Sequence, residues 1–325
     1  MRVLIVRLSS LGDVVHAAPV LADIHRAHPG ARIDWVAEEA FVPLLRCFAG
    51  VEHVLPIALR RWRKAPGAAR DEVAAFWRHL RGLRYDAVLD LQGLIKSALI
   101  ARAAPLAPRG RRYGLANRTD GSAYEAPARW AYDEALHMPV RIHVVDRSRD
   151  LAARALGHRA EGPPVVPWQV PALDPQDAPW SDPRAVLLVH GSAKAQKLLP
   201  PGYWAELGRS LVQRGARVWL PWGTADERAS AEAIAAQVGA GAAVLPRLPL
   251  DRLAAVMARC HGSIGLDTGL SHMSATLGRP TVQLFIEDKA WRAAAYWQPK
   301  TAVLQASEAD LPTVAQTIQA WERVA

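Results

Sequence analysis

Three short segments combine glycine with hydroxyl, carboxylate or imidazole side chains directly after an apolar run, a pattern typical of loops that bind anions. The first reads RLSSLGD over residues 7–13 and follows the apolar run at 3–6. Ser10 lies where a helix N-cap is expected, and Gly12 allows the backbone to approach a ligand closely. Asp13 has two interpretations: its charge favours the positive end of the following helix, or its carboxylate serves as a general base.

The second segment reads SIGLDTGLSHM, and in it a predicted strand ends where a helix begins. Thr268 can cap this helix, and the amides of Gly269 and Leu270 then point outward and form a diphosphate site. His272, on the first helical turn, adds a further donor. The alternative is that Asp267 and Thr268 only cap the helix while His272 lies on the surface.

The third segment, HGSAKAQK over residues 190–197, follows the first predicted strand of the second half. Small residues including Ser192, followed by two lysines, predict a loop near a negative group, with Lys197 as the candidate contact. The alternative is that these lysines are simply solvated. After the next strand, a turn at Gly223 puts Glu227 where a ribose diol could be held.

A run of cations, RRWRK, covers residues 60–64. Such a run is either a solvated face or a contact for an anionic acceptor. The interleaved tryptophan also permits a nucleic-acid or membrane interpretation, but no RNA-recognition or helix-turn-helix signature supports nucleic acid. We therefore expect an anionic acceptor here, contacted by Arg60, Arg61, Arg63 and Lys64.

The composition favours an anionic partner and argues against several classes of protein. Lysine and arginine outnumber aspartate and glutamate by 40 to 31, a formal charge of +9. The two cysteines, Cys47 and Cys260, lack zinc-ligand spacing, so we expect free thiols in a reducing compartment. The amino terminus lacks signal-peptide features, and no apolar run reaches the roughly 20 residues that span a bilayer. These features predict a cytoplasmic protein.

Short apolar runs alternate with longer amphipathic stretches, which predicts parallel strands joined by helices. Seven of the 24 prolines fall between residues 161 and 183 and predict a linker. We expect an α/β protein with two Rossmann-like domains, 1–165 and 184–325, whose parallel sheets face each other across a cleft, and a proline-rich linker at 166–183. A last helical stretch at 311–324 could pack on either domain. The predicted strands are 3–6, 32–36, 51–55, 85–91, 185–189, 216–220, 243–245, 263–266 and 281–285, and the main predicted helices are 11–27, 201–214, 225–238, 250–260 and 270–277.

Six segments together resemble the family-9 glycosyltransferases that build the inner core of lipopolysaccharide, and they span nearly the whole chain. They are RLSSLGDVVH (7–16), DWVAEEAF (34–41), RRWRKA (60–65), YDAVLDLQGLIKS (85–97), LPWG (220–223) and DTGLSH (267–272). The first and last mark the wider family. The segments at 34–41 and 60–65 are typical of the members that add the first heptose rather than the second.

The resemblance implies a GT-B fold and an inverting transfer of heptose from ADP-heptose to the inner Kdo of Kdo₂-lipid A, at the cytoplasmic face of the inner membrane. It makes Asp13 the base and puts Ser10 and Gly12 on the acceptor side, with Lys96 joining the cations of residues 60–64. It assigns the donor site to Ser192, Lys197, Glu227 (the ribose contact), Asp267, Thr268, Gly269, Leu270 and His272. Since no DxD-type pair lies in a suitable loop, we expect neither a metal nor another cofactor. We further expect a monomer that associates peripherally with the membrane and binds no nucleic acid.

The chain departs from the family pattern at three places. Leu199 replaces an aromatic residue before a proline, Ile286-Glu-Asp-Lys-Ala replaces a Gly-Pro-Thr segment, and Tyr124 stands before Glu125 where an Arg-Glu pair is expected. Two alternatives therefore stay open: a family member with another donor or acceptor, such as the second heptosyltransferase or a hexosyltransferase, and a non-catalytic nucleotide-sugar-binding protein. A dehydrogenase is disfavoured because the first segment lacks GxGxxG, and a P-loop enzyme because it lacks GxxxxGK[ST].

Overall fold

The computed structural model describes residues 1–307 and 310–325 and divides into two compact units, Met1–Gln169 and Val170–Ala325. Each unit contains one six-stranded sheet. Within both sheets, neighbouring strands pair in parallel. Parallel pairing requires a crossover between successive strands, which is why helices separate most of them in sequence. The predicted α/β class, with a Rossmann-like arrangement in each half, is confirmed.

The first unit has the strand order β3-β2-β1-β4-β5-β6, with β1 at the point where the order reverses. Its strands are β1 (Arg2–Val6), β2 (Arg32–Glu38), β3 (Val51–Ile57), β4 (Tyr85–Asp90), β5 (Leu106–Leu115) and β6 (Glu134–Leu136). Its helices are α1 (Leu11–Ala17), α2 (Pro19–Ala27), α3 (Val42–Leu45), α4 (Leu59–Lys64), α5 (Arg70–Arg81), α6 (Ile95–Ala103) and α7 (Val144–Leu156), and a 3₁₀ helix covers Ala126–Ala131.

The second unit has the order β12-β11-β10-β7-β8-β9. Its strands are β7 (Ala185–Val189), β8 (Arg217–Leu220), β9 (Ala242–Val244), β10 (Gly262–Leu266), β11 (Thr281–Phe285) and β12 (Thr301–Gln305). Its helices are α8 (Pro201–Gln213), α9 (Ala225–Val238), α10 (Leu250–Met257), α11 (Gly269–Thr276), α12 (Ala290–Ala293) and α13 (Val314–Glu322). The central strands β7, β10 and β11 are buried throughout, which explains their unbroken runs of mostly apolar residues.

The last helix, α13, packs on α8, β11 and β12 of the second unit. Ile318 and Trp321 contribute to the core of that unit, and the buried Thr317 shares a hydrogen bond of 2.6 Å with Tyr203 of α8. The sequence left the position of this helix open, because its apolar face alone does not identify the partner.

The proline-rich stretch is divided between the two units. Trp168 forms an antiparallel bridge with Phe48, and their rings meet edge to face, so this part belongs to the first unit. Asp177, a few residues later, is buried in the second unit and pairs with Arg252 at 2.7 Å. Because its prolines have no backbone N–H to donate, this stretch is attached to the two units by side-chain contacts and single backbone bridges of this kind.

A buried ion pair connects α2 and α7 in the first unit. Asp23 receives two hydrogen bonds from the guanidinium of Arg149, at 2.7 and 3.0 Å, and both side chains are almost completely buried. Arg149 also donates to the backbone carbonyls of Glu161 and Gly162. The bidentate geometry satisfies the carboxylate and offsets the cost of desolvating both charges.

Replacing Asp23 with alanine is expected to destabilise the chain by about 3–5 kcal/mol, because it leaves the buried charge of Arg149 without its counterion. Urea unfolding would measure the change. Asp150→Ala is the matched control, since Asp150 forms an exposed pair with Arg154 on α7 and should cost less than about 1 kcal/mol. Equal losses for the two variants would contradict this account.

Candidate active site

The loop after β1 holds Asp13 through its own hydrogen bonds. Ser10 begins α1, and both its backbone amide and its hydroxyl donate to one carboxylate oxygen of Asp13 at 3.0 Å. The guanidinium of Arg7 lies 2.6 Å from the other oxygen. The carboxylate therefore caps its own helix, while 28% of its side chain stays exposed.

The charges around Asp13 decide its ionisation. Desolvation raises the pKa of this carboxyl, but the positive charge of Arg7 and the hydrogen bonds from Ser10 outweigh it, so the pKa lies below its usual range. Asp13 is thus an anion at neutral pH. A carboxylate of this kind can accept a hydrogen bond from a hydroxyl group and can accept its proton once that hydroxyl becomes acidic.

Arg7 also ties the Asp13 loop to the loop after β4. Its guanidinium donates to the carbonyl of Leu91 at 2.6 Å, and the side-chain carbonyl of Gln92 accepts from the amide of Leu8 at 2.8 Å. These contacts form where the carboxyl ends of β1 and β4 lie side by side, the usual ligand-binding edge of a parallel sheet.

Asp90, which the sequence analysis did not single out, organises the loop after β4. It is completely buried and accepts hydrogen bonds from the amides of Gln92 and Gly93 and, at 2.8 Å, from the hydroxyl of Tyr132. Burial raises its pKa, and these hydrogen bonds oppose the rise. The only sequence signal is a carboxylate at the end of an apolar strand. Gly93 is needed here because its φ of +75° favours glycine.

Three of the predicted acceptor cations lie around one cavity of about 480 Å³ in the first unit, here called the basic cavity. Arg60 and Arg63 come from α4, and Lys96 comes from the first turn of α6. Glu38, Leu59 and Trp62 line the rest of this cavity. Desolvation raises the pKa of Glu38, although Lys96 and Arg60 oppose the rise. The arrangement fits an anionic ligand whose charge the cations balance.

Arg61 lies elsewhere, around a second cavity of about 280 Å³. Its guanidinium pairs with Glu39 at 2.8 Å and with Glu72 at 2.7 Å, and Glu72 also accepts from the indole of Trp62. These two carboxylates already neutralise the charge of Arg61. The pair with Glu72 connects α4 to α5. Lys64 is exposed at the end of α4.

In the second unit, β10 ends directly before the start of α11, as the glycine-containing segment predicted. Thr268 is the N-cap residue, and Gly269 and Leu270 form the first positions of the helix. The amides of a first helical turn have no partner inside the helix and favour an anion. The hydroxyl oxygen of Thr268 is buried and has no hydrogen-bond partner in the described structure, so its hydrogen-bonding capacity is unused there.

A line of polar contacts, here called the Asp267 chain, connects four side chains beside α11. Lys197 pairs with one oxygen of Asp267, and Nε2 of His272 lies 3.1 Å from the other. Nδ1 of His272 meets the amide nitrogen of Gln283 at 3.0 Å. The carbonyl oxygen of Gln283 accepts from the backbone amide of Ala295 at 2.9 Å, which fixes the orientation of this side-chain amide.

The Asp267 chain determines which nitrogen of His272 carries the proton. Because Gln283 presents its NH₂ group, Nδ1 must accept, and Nε2 then donates to Asp267. Desolvation raises the pKa of Asp267, but His272 and Lys197 together lower it more, so the pKa lies below the usual range. Lys197 keeps its remaining N–H groups for a further anion.

The segment after β11, one of the departures from the family pattern, joins this site. Glu287 lies 4.0 Å from the ammonium of Lys197 and pairs with Lys289 at 2.5 Å. The pKa of Glu287 is lowered, first by the hydrogen bond from Lys289 and also by the charges of Lys197 and Lys194. Sequence reasoning named this segment as a departure but assigned no role to Glu287 or Lys289, although their position after a central strand was a usable signal. Leu199, the other departure in this unit, is part of the apolar core.

Two further predicted donor residues make local backbone contacts. One carboxylate oxygen of Glu227 accepts from the amides of Gly223, at 2.7 Å, and Thr224, so that Glu227 caps α9. The other carboxylate oxygen of Glu227 lies close to Gly191, where a Cβ would come within 2.7 Å of it. Glycine at position 191 therefore leaves space for the Glu227 side chain. Ser192 accepts from the amide of Lys194 at 3.3 Å.

The comparison with known proteins decides the family. The model of glycosyltransferase family 9 (heptosyltransferase) matches residues 73–320. Lipopolysaccharide heptosyltransferase 1 of Pseudomonas aeruginosa is 40% identical over 88% of this chain and 78% of its own. This chain belongs to glycosyltransferase family 9.

The solved structures agree with this assignment. Escherichia coli heptosyltransferase WaaC with ADP superposes on the family-9 enzyme with a TM-score of 0.87 and 33% identity, covering all of both chains. The fold is therefore GT-B. Lipopolysaccharide heptosyltransferase 2 of Salmonella typhimurium is more distant, at 27% identity over 88% of this chain and 82% of its own.

Replacing Gln283 with leucine in the family-9 enzyme is expected to release His272 from its single tautomer, because Nδ1 loses the donor that faces it. The imidazole nitrogen shifts of His272 in heteronuclear NMR, assigned with a His272→Gln variant, should move towards those of a tautomer mixture. Gln305→Leu is the control, since Gln305 makes one exposed contact with Asp288. Unchanged His272 shifts in the Gln283 variant would show that the contact does not set the tautomer.

Proposed function

We propose that this chain transfers L-glycero-D-manno-heptose from ADP-heptose to the inner Kdo of Kdo₂-lipid A, with inversion at the anomeric carbon. The observation that carries the proposal is the Asp267 chain beside the start of α11, where a lysine, a free hydroxyl and helix amides meet. The higher identity to a protein named heptosyltransferase 1 than to one named heptosyltransferase 2 supports addition of the first heptose. WaaC, which superposes over its full length, was solved with ADP.

On the donor side, the diphosphate binds at the first turn of α11. The amides of Gly269 and Leu270, the hydroxyl of Thr268 and the ammonium of Lys197 supply donors to its oxygens. The bond between the anomeric carbon and the diphosphate oxygen breaks, and the electron pair leaves with ADP. Cations and amides stabilise the charge that develops on this oxygen, the role that a divalent metal plays in other enzymes.

On the acceptor side, a hydroxyl of Kdo attacks the anomeric carbon and transfers its proton to Asp13. The low pKa of Asp13 makes it a weak base in the ground state. The hydroxyl becomes strongly acidic only as its oxygen bonds to the anomeric carbon, so the proton moves late in the step. Arg7 and Ser10 keep the carboxylate ionised and oriented until then.

Mass spectrometry of Kdo₂-lipid A incubated with ADP-heptose tests the function directly. The wild type should add one heptose, and Asp13→Asn should lower kcat by about 10²–10⁴-fold because it removes the general base. Asp146→Asn, in the first turn of α7, is the matched control and should be fully active. No heptose addition by the wild type would refute the proposal. Because the pKa of Asp13 is lowered, its protonation should cause no loss of kcat/KM as the pH falls to about 5.

Lys197→Ala is expected to raise the KM for ADP-heptose and to lower kcat, because it removes a cation from the departing diphosphate. Lys300→Ala changes an exposed lysine in the same unit and should alter neither constant.

We also propose that no metal is required, so exhaustive chelation with EDTA should leave the wild-type rate unchanged. A rate restored only by added divalent cation would contradict this part.

The basic cavity is proposed to bind the Kdo carboxylates and the lipid A phosphates. Arg63→Ala and Lys96→Ala should each raise the acceptor KM by roughly tenfold while the donor KM stays constant, since each removes a charge-assisted contact. Arg61→Ala is the contrasting variant, because Glu39 and Glu72 already neutralise this arginine, and its acceptor KM should stay unchanged. Equal effects of all three variants would contradict the division between the two cavities.

A lipid acceptor requires contact with a membrane. None of the helices in the described part of the chain has both the length and the apolar character needed to cross a bilayer. We propose peripheral association of a monomer with the anionic cytoplasmic face of the inner membrane, supported by the formal charge of +9. Nucleic acid is not among the proposed partners.

A further inference from the structure

Helix α6 presents an unusual face to solvent. Ile95, Lys96, Leu99 and Arg102 are exposed, while the intervening Ser97, Ala98, Ile100 and Ala101 are buried. The exposed positions follow the helical period, so two large apolar side chains and two cations share one face. Ile95 is 43% and Leu99 62% exposed. The sequence of α6 contains no acidic residue.

A second element packs beside α6 and also presents an apolar side chain and a cation to solvent. The 3₁₀ helix Ala126–Ala131 packs against α6, with Ala128 buried in the same core cluster as Ala98. The amide of Ile95 donates to Glu125, just before that helix, at 2.6 Å. The 3₁₀ helix carries Trp130, 76% exposed, and the exposed Arg129. Large apolar groups interspersed with cations are typical of surfaces that lie in a membrane interface.

The same face adjoins the basic cavity. Lys96 belongs to both, and through it the face meets Arg60 and Arg63. The carboxylates of Glu38 and Glu125 lie near this face. Glu38 lies in the cavity between cations, and Glu125 accepts the amide at the start of α6. The balance of charge over the face is positive, which complements an anionic lipid surface.

We propose that the face formed by Ile95, Lys96, Leu99, Arg102, Arg129 and Trp130 is where the protein docks on an anionic bilayer. Leu99 and Trp130 enter the boundary between headgroups and acyl chains, and the cations contact lipid phosphates. This inference rests on the proposed function, because it assumes that the acceptor is a membrane lipid. Docking through this face would let that acceptor reach the basic cavity from the membrane surface. It goes further than electrostatic contact, because apolar side chains insert.

A second copy of this chain is a poorer occupant for the same face. In a two-fold symmetric interface this face would meet the same face of a partner, which carries the same three cations, Lys96, Arg102 and Arg129. Like charges buried against each other oppose association, whereas phosphate groups of lipids attract them. Charge complementarity therefore selects the bilayer.

The cysteines of the protein allow a direct test. Cys47 and Cys260 are both buried, so a cysteine introduced by Leu99→Cys can be labelled selectively with an environment-sensitive fluorophore. Adding phosphatidylcholine vesicles that contain phosphatidylglycerol should shift the emission of this label to the blue. Pure phosphatidylcholine vesicles should shift it much less. Val140→Cys, at an exposed position of the same unit outside the face, should show no shift.

A double variant, Leu99→Ser with Trp130→Ser, gives the second measurement. Its partition onto the anionic vesicles should fall by about tenfold or more, including at high ionic strength, where electrostatic attraction is screened. Val140→Ser should bind as the wild type does. Transfer to a deacylated, water-soluble Kdo acceptor should be unchanged in the double variant, whereas transfer to acceptor in vesicles should fall.

The possible results separate the docking proposal from the proposed function. If the protein binds the vesicles while the label at position 99 does not shift, another face docks and the inference is wrong. It is also wrong if analytical ultracentrifugation detects a dimer that the double variant abolishes, because a second copy then covers the face. If the wild type transfers heptose to neither acceptor while the label shifts, docking stands and the proposed function fails.

Discussion

Parallel strand pairing is the constraint on which the rest of the structure depends. In each sheet it brings the carboxyl ends of the strands to one edge, so residues far apart in sequence meet there. Asp13 and the Asp90 loop lie together because β1 and β4 are neighbours. Lys197 and Asp267 meet because the loops that follow β7 and β10 are also neighbours. In both units, therefore, the strand topology alone determines where the candidate site residues lie, whatever their side chains are.

Charge at these edges is balanced within the protein. Asp13 is neutralised by Arg7, and Asp267 by Lys197. Each pair keeps its carboxylate ionised without leaving an uncompensated charge in a partly buried place. Gln283 adds a neutral donor that keeps His272 in one tautomer and, through the amide of Ala295, connects it to the residues that directly follow the segment departing from the family pattern. Changes in that segment therefore reach the proposed donor site through the backbone as well as through Glu287.

Most strands of both sheets, and the family, were predicted from the sequence. The strands were predicted wherever the local pattern of apolar and turn residues was enough to identify them. The strands at 185–189 and 281–285 and the helix at 225–238 have the predicted bounds, because an unbroken apolar run or a clear cap marks them. Strand β5 was missed because Pro108, Gly110 and several arginines hide it, and α7 was missed because charged residues interrupt its apolar face. Arg61 shows a different limit: Glu39 and Glu72 are its partners only in the folded chain, and no spacing rule reveals them.

The packing of α13 has a genetic consequence. Every candidate donor residue is encoded upstream of this helix, yet Ile318 and Trp321 help to build the core on which β11 and β12 rest. Gly262 leaves space for the Trp321 ring, since a Cβ there would lie 2.9 Å from it. A stop codon shortly before Val314 would remove these side chains and expose the apolar surface beneath them. Such an allele would behave as a null mutation although the reading frame had already specified the whole candidate site.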